Sequence, residues 1–309
     1  MDRKQINSLL DLPLAELISR ADKVRRESAG SSIELCSIMN AKSGLCGEDC
    51  KFCGQAKRHH THALIYPLKK KAEILKQARR ARGIGAERFS VVTSGNRVSA
   101  EELNRICDVI LEITDKIGIK MCASLGALDK ESFCRLKQAG LSRYHHNLET
   151  SPEYFPAIAS THTFQDRVDT IKAAKAAGLE VCSGGIIGMG ERLEDRISLA
   201  VRLKELDVDS APINVLVPIT GTPLENCATL SCGEIIRTIA MFRIILKNKI
   251  IKIAAGRETI LEDFQALAFL AGANGMLIGG YLTTRGRSAR KDRELVREIK
   301  ELWQTGKDS

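Results

Sequence analysis

RFSVVTSGNRVSAEELNRICDVILEITDKIGIKMCAS, residues 88–124, holds one complete unit of this chain's architecture. It opens on a short β-branched run, Arg88–Thr93, and crosses a polar turn. It continues as an amphipathic stretch, Ala100–Lys116, and ends on a second short run, Ile119–Ser124. Ser99 stands before Ala100, Glu101 and Glu102 as a helix cap with acids in the first turn, where a hydroxyl and negative charge both answer free N–H groups. Parallel neighbouring strands need a crossover connection, and strand–helix–strand supplies it.

The same pattern runs outward in both directions. Further strands are expected at Ile33–Met39, Arg143–Leu148, Leu179–Ile187, Pro212–Val217, Ile250–Ala255 and Met276–Gly279. Helical stretches fall between them at Ala72–Arg82, Lys130–Ala139, Phe164–Ala177, Leu193–Leu206, Cys232–Leu246 and Leu261–Ala271. Gly83, Gly140 and Gly178 follow helical runs as stops. Eight strand–helix units in 309 residues predict the α/β class and a (β/α)8 TIM-type barrel. A doubly wound open sheet is the alternative. No Pro/Ser-rich linker or charge run divides the chain, so the expectation for 1–309 is a single domain. Its core barrel spans about 33–284, with an N-terminal helical extension in 1–32 (roughly Pro13–Glu27) and a C-terminal helix in 285–309.

Composition narrows the classes. Hydrophobic residues make up 44% and aromatics only 4%, so aliphatic side chains must fill the core. No run approaches the ~18 apolar residues of a membrane span. Met1–Leu14 lacks the apolar region of a signal peptide, which predicts a cytoplasmic protein. The ten cysteines then point to metal or redox chemistry rather than disulfides. The net charge of +9 is spread along the chain, and almost no aromatics interleave with the basic clusters. A nucleic-acid groove is therefore not expected. A solvated basic face is the plain reading of this charge, and an acidic electron donor, such as a flavodoxin or ferredoxin, is a third option.

Alternate strand residues of a barrel face the lumen. That turns Ser90, Cys122, Ser124, Cys182, Asn214, Leu216 and Lys252 inward and puts His145, Asn147 and Glu149 on one side. An ordinary barrel lumen is packed with bulky aliphatics. A polar lumen lined with cysteines needs partners for its buried groups, so a ligand or cluster is expected inside.

Cys46-Gly-Glu-Asp-Cys50-Lys-Phe-Cys53 follows the first strand, at the end of the barrel where active sites form. Four thiolates complete a [4Fe–4S] cube, so three leave one iron open, as a catalytic metal requires. A structural zinc site with His59 or His60 as fourth ligand is the competing reading of the same spacing.

C-x3-C-x2-C resembles the signature of the radical S-adenosylmethionine (SAM) superfamily. Further segments resemble the biotin synthase family within it: residues 42–53, Tyr144–Ser151, Cys182–Glu191, Pro212–Val217, Gly221–Pro223, Ala255–Glu258 and Ala271–Asn274. The resemblance runs from about Ile33 to Thr284. It implies a radical SAM sulfurtransferase, in which SAM chelates the open iron and is cleaved to methionine and a hydrogen-abstracting 5′-deoxyadenosyl radical. Sulfur insertion into dethiobiotin then gives biotin. It also implies a homodimer and an auxiliary iron–sulfur cluster in the barrel.

In the family's well-known branch, three cysteines and an arginine hold a [2Fe–2S] auxiliary cluster. Cys122 and Cys182 match two of those ligands, but Ser90 and Lys252 stand at the other two positions. Cys36 lies on the first strand, beside the second. The expected set is therefore Cys36, Cys122 and Cys182, with Lys252 as a further candidate, around a [2Fe–2S] or tetranuclear cluster. By the same matching, Asn147, Glu149 and Arg167 fall where SAM is bound. Asn147, Asn214, Thr283 and Thr284 fall where dethiobiotin is bound.

Other features carry no function in this reading. Gly83-Ile-Gly85 fails the dinucleotide pattern because Arg88 occupies its last glycine position. The glycines of residues 184–190 suit close backbone approach to a ligand. Cys107, Cys134, Cys227 and Cys232 are expected to be structural or incidental, and His59, His60 and His62 to sit in a solvated loop. Rival functions are another radical SAM enzyme on the same barrel, of maturase or mutase type, and an inert metal or electron-transfer protein.

Overall fold

The computed structural model describes residue 9, residues 11–280 and residues 286–304. Its centre is a closed ring of parallel strands. β1 (Glu34–Lys42), β2 (Arg88–Thr93), β3 (Lys120–Ser124), β4 (Leu141–His145) and β5 (Glu180–Cys182) neighbour one another in order. β6 (Gly185–Ile187), β7 (Ser210–Val215), β8 (Ile250–Ile253) and β9 (Gly275–Leu277) continue the ring, and β9 returns to β1. β5 and β6 are halves of one strand position: both pair with β7. Nine segments thus fill eight places, and the expected (β/α)8 barrel forms rather than an open sheet.

The break between β5 and β6 has a steric cause. A Cβ on Gly184 would stand 1.9 Å from the Pro212 carbonyl oxygen, and one on Gly185 would stand 2.2 Å from that of Glu149. The two glycines let three backbone segments meet where side chains would hold them apart. Further along, Gly188 faces the Leu230 side chain and Gly190 the Tyr154 hydroxyl.

The helices form as capping and periodicity dictate. Ser99 Oγ accepts from Glu102 N at 3.1 Å, and Glu102 returns a carboxylate to Ser99 N at 3.0 Å. Behind this box, Leu103, Ile106, Val109, Ile110 and Ile113 bury one face of Ala100–Lys116. The outward strand residues meet such faces: Phe89, Val91, Met121, Ala123, Tyr144 and Val181 are all buried. The segment after β8 differs from the expected helix over Leu261–Ala271. It starts as a wide turn at Arg257–Leu261, tightens at Glu262–Phe264, and becomes α-helical only over Gln265–Leu270. Buried Arg257 holds this irregular path by pairing with Asp292 at 2.9 Å and with the Leu277 carbonyl at 3.1 Å.

Two helices lie outside the ring. Leu14–Ser28 packs on Cys232–Leu246. Ala289–Gln304 buries Val296, Ile299 and Trp303. The Arg25 guanidinium sits 3.8 Å from the centre of the Trp303 ring, so the terminal helices meet. No helix among the described residues is long and apolar enough to cross a membrane.

Candidate active site

The ring encloses a cavity of about 540 Å³ that opens at the C-terminal end of the strands. Ser90, Ser124, Cys182, Asn214 and Lys252 line it, as strand alternation predicts. Leu216 does not: it lies past the end of β7, beside Gly188.

The floor is a network of charge. Glu34 receives Arg88 Nε at 2.7 Å, Arg143 Nη1 at 2.6 Å and Lys252 Nζ at 3.2 Å. Glu180 receives Arg88 Nη2 and Arg143 Nε, both at 2.9 Å. Burial alone would raise the Glu34 carboxyl, but these three cations hold it well below the usual range. Register explains the assembly: Arg88 lies opposite Cys36, and Arg143 opposite both Cys122 and Glu180.

Three buried thiols stand above this floor. Lys252 Nζ donates to Cys36 Sγ at 3.0 Å. Arg143 acts on both Cys122 and Cys182, and Lys252 on both Cys36 and Cys182. Burial pushes the Cys36 thiol up to about 12, despite Lys252. Burial also works on Cys122, but His145, Arg88 and Arg143 outweigh it and draw that thiol down. Two polar groups in the same layer lack a hydrogen-bond partner, Ser90 Oγ and His145 Nε2, and both residues line the cavity. Buried polar atoms without partners are expensive, so this layer is shaped for something polar in the cavity.

The mouth is built by the Cys46–Cys53 loop. Cys46 and Cys50 line the cavity. Burial pushes Cys50 up to about 12 and raises Cys53 as well. The acids between Cys46 and Cys50 clamp the loop to residues 158–162. Asp49 takes Ser160 N at 2.9 Å and Thr161 N at 3.2 Å. Lys51 N donates to the Ile158 carbonyl at 2.9 Å. Glu48 accepts from His162 Nδ1 at 2.7 Å, and His162 Nε2 accepts from Arg167 Nη2 at 2.9 Å. An arginine only donates, so its contact fixes the neutral His162 tautomer.

Arg167 also donates to the Asn147 carbonyl at 2.9 Å and stands 3.8 Å from the Glu149 carboxylate. Glu149 has φ 71°, a left-handed conformation that strains a residue with a long side chain. The backbone over-determines it: Glu149 N bonds to Gly184 O at 3.1 Å, and Glu149 O receives Ile186 N at 2.9 Å. Burial raises the Glu149 carboxyl, against the pull of Arg167 and Asn147. Asn214 spends one N–H on Gly185 O and its carbonyl on Ala255 N, at 3.0 and 3.2 Å. Its second N–H and second lone pair stay available.

The structure thus gathers Cys46, Cys50, Asn147, Glu149, Arg167, Cys182, Asn214 and Lys252 around one cavity, with Cys36 and Cys122 in the buried layer beside it. Thr283 and Thr284 lie outside the described residues. Sequence reasoning missed the Glu48–His162–Arg167 chain, Asp49, and the Glu34–Glu180 floor. The acids inside C-x3-C were the available signal for the first two. His145 was placed on the correct side, but its unpartnered nitrogen could not be foreseen. Cys227 donates to the Gly188 carbonyl at 3.3 Å.

The donor set bears on what can bind. Among the described residues, no three His, Cys, Asp or Glu side chains converge on one point, as a single metal ion requires. His59 spends Nδ1 on the Cys53 carbonyl at 2.9 Å. Among the described residues, the three thiols and His59 or His60 are not assembled as a mononuclear zinc site. A cluster has its ligands on separate irons, and thiols spread over a loop suit it.

The radical SAM superfamily matches residues 42–203, and the Biotin and Thiamin Synthesis associated domain matches residues 212–300. Among solved structures, methylornithine synthase aligns with a TM-score of 0.82 at 22% identity, over 97% of this chain and 92% of that one. The hydrogenase maturase HydG from Carboxydothermus hydrogenoformans aligns at 0.77 and 19%, over 96% and 77%. Those two likenesses concern the fold. Barrel and cysteine loop together define a radical SAM enzyme. The biotin synthase of Thermotoga neapolitana is 56% identical over 273 residues, covering 88% of this chain and 98% of that protein. That of Thermotoga petrophila is 51% identical over 299 residues, covering 96% and 99%. The chain belongs to the biotin synthase family.

Proposed function

We propose that the chain inserts sulfur into dethiobiotin, giving biotin with methionine and 5′-deoxyadenosine as co-products of SAM cleavage. The observation that carries this reading is a second group of buried thiols, Cys36, Cys122 and Cys182, in and beside the cavity whose mouth carries Cys46 and Cys50. A radical enzyme that only rearranges its substrate has no use for three buried thiols beside that cavity.

Cys46, Cys50 and Cys53 would hold a [4Fe–4S] cluster, and Cys36, Cys122 and Cys182 an auxiliary cluster of [2Fe–2S] or tetranuclear type. When bound, the first supplies the electron that cleaves SAM and the second supplies sulfur. The protein's part is to orient and exclude. Glu149 accepts from the vicinal hydroxyls of the SAM ribose, because a carboxylate presents only acceptors. Arg167 meets the SAM carboxylate, its guanidinium aimed by His162 and Glu48. Asn147 stands between SAM and dethiobiotin. Asn214 turns its free N–H and lone pair to the ureido ring, and Thr283 and Thr284 take the substrate carboxylate. Lys252 acts as counter-charge to Cys36 rather than as an iron ligand, since an ammonium has no lone pair.

Residues 1–309 would work as one barrel domain, as a homodimer fed by an acidic electron donor. Ten free cysteines suit a reducing, cytoplasmic setting. The test is anaerobic: reconstitute the protein, count iron and sulfide per chain, then add reductant, SAM and dethiobiotin. Two clusters with biotin formed is the expected result. 5′-Deoxyadenosine without biotin would move the substrate elsewhere, and zinc with no SAM cleavage would overturn the reading.

A further inference from the structure

Six large apolar side chains among the described residues are more than half exposed, and three of them crowd onto one spot: Leu45 at 61%, Leu64 at 76% and Ile65 at 63%. They are adjacent in space as well as exposed. Ser43 and Tyr66 bridge antiparallel, with Ser43 N to Tyr66 O at 3.0 Å and Tyr66 N to Ser43 O at 3.1 Å. Ile65 lies against Gly44, where an added Cβ would stand 2.7 Å from Ile65 Cγ1. Leu45 has φ 54°, a strained conformation that turns the chain between this bridge and Cys46. A scattered exposed leucine needs no explanation, but a contiguous apolar patch does.

The rim of the patch is basic. Lys57, exposed, anchors its backbone N–H on the Cys46 carbonyl at 2.8 Å. Lys69 Nζ lies 4.2 Å from the centre of the Tyr66 ring, and exposed Lys70 follows. The acids of the same loop are turned elsewhere: Glu48 to His162 and Asp49 to Ser160 and Thr161. Glu73 Oε1 lies 3.8 Å from Lys69 Nζ, so Lys57 and Lys70 give the rim its net positive charge around an apolar centre, one residue from a thiol of the mouth.

We propose that Leu45, Leu64 and Ile65, with Lys57, Lys69 and Lys70, form the docking face for an acidic one-electron carrier protein. The inference rests on the cluster reading above. In the step it serves, the reduced carrier gives up one electron and the cluster at Cys46, Cys50 and Cys53 gains it. A small apolar centre with a charged rim suits a weak, fast-exchanging encounter, in which charge raises the association rate and little area is buried.

The test uses the reconstituted protein and a low-potential acidic ferredoxin as probe. Leu64→Asp and Lys57→Glu are made singly and together. Anaerobic stopped-flow measures cluster reduction by the ferredoxin, and calorimetry measures its binding to the protein. The double variant should lower the second-order rate by ~10-fold or more at low salt, with a weakened salt dependence. Reduction by dithionite, SAM cleavage with dithionite and iron content should stay at wild-type values. Ferredoxin reduction at the wild-type rate in the double variant would overturn the docking face. So would conversion of a wild-type dimer to a monomer with reduction unchanged, which would assign the patch to a second copy of the chain. Failure of SAM cleavage with dithionite in the wild type would instead strike the function proposed above.

Discussion

At the scale of single residues, the buried layer of the lumen decides what this barrel can hold. Cys36 is nearly inaccessible, receives Lys252 at 3.0 Å and shares its surroundings with Cys122 and Cys182. If it is a ligand, Cys36→Ala removes the auxiliary share of iron and sulfide. Biotin formation then falls by ~100-fold or more, because losing even an outer partner of a metal site costs 10–100-fold. SAM cleavage continues, since Cys46, Cys50 and Cys53 are untouched. Unchanged iron content would reduce Cys36 to a small buried hydrophobe. Glu149 offers a second test. Glu149→Ala removes the acceptor proposed for the ribose and should raise the dissociation constant for SAM by ~10-fold, the effect of about 1.4 kcal/mol. Equilibrium binding on the reconstituted protein checks it. Inward residues on β2, β3, β7 and β8 were legible in the sequence because a strand alternates with a period of two. The floor was not: Glu34 and Glu180 begin their strands, and no local pattern says that a residue at a strand's first position will meet two arginines from other strands.

At the scale of elements, the strand–helix rhythm was readable wherever a cap and an apolar stripe agreed. Ala100–Lys116 has both, and its bounds in the structure are the predicted ones. Glu102 closes that helix's capping box and also pairs with Lys42 at 2.7 Å. Burial works to raise its carboxyl, but Lys42 and Ser99 outweigh that, so it lies below its unfolded value. A depressed carboxyl contributes stability that is fully present above the unfolded value of about 4.3 and is lost as pH falls through the folded one. Glu102→Gln should cost about 1 kcal/mol at pH 7 in urea unfolding. The gap between variant and wild type should close as the pH is taken from 5 to 3. The broken strand position β5–β6 was read as one strand, because Gly184 and Gly185 look like ordinary weak points until Pro212 and Glu149 arrive from elsewhere. Gly185→Ala puts a carbon against backbone that cannot yield. It should destabilise by about 1–3 kcal/mol or more, and Gly178→Ala, with nothing nearby, is the control that feels only its positive φ.

At the scale of the whole molecule, eight strand positions close a ring around groups that an apolar core would not tolerate. Ser90 Oγ and His145 Nε2, without partners among the described residues, mark the layer where the protein alone leaves polar atoms unsatisfied. Binding free energy gained only in the folded state becomes folding free energy. Anaerobic reconstitution with iron and sulfide should therefore raise the thermal midpoint by several degrees. Cys36→Ala should abolish part of the rise and a Cys46, Cys50 and Cys53 triple alanine variant another part. Calorimetry of loaded and unloaded protein measures both. The closed ring was predictable from the count of repeating units, but the departure of the segment after β8 was not. Leu261–Ala271 reads as a helix until buried Arg257 and Asp292 pull its first turn open.

The ionic floor carries a consequence for the order of events. Glu34, Arg88, Arg143, Glu180 and Lys252 cork the barrel at the strands' N-terminal end. Among the described residues, the lumen is thus a well that opens at the C-terminal end of the strands. On the proposed function, whatever is consumed at the bottom must be replaced from the top, past the seats proposed for SAM and dethiobiotin. Departure of product and repair of the depths are then sequential traffic through that doorway, and a molecule that lingers in the upper seats delays the next cycle without touching the chemistry below.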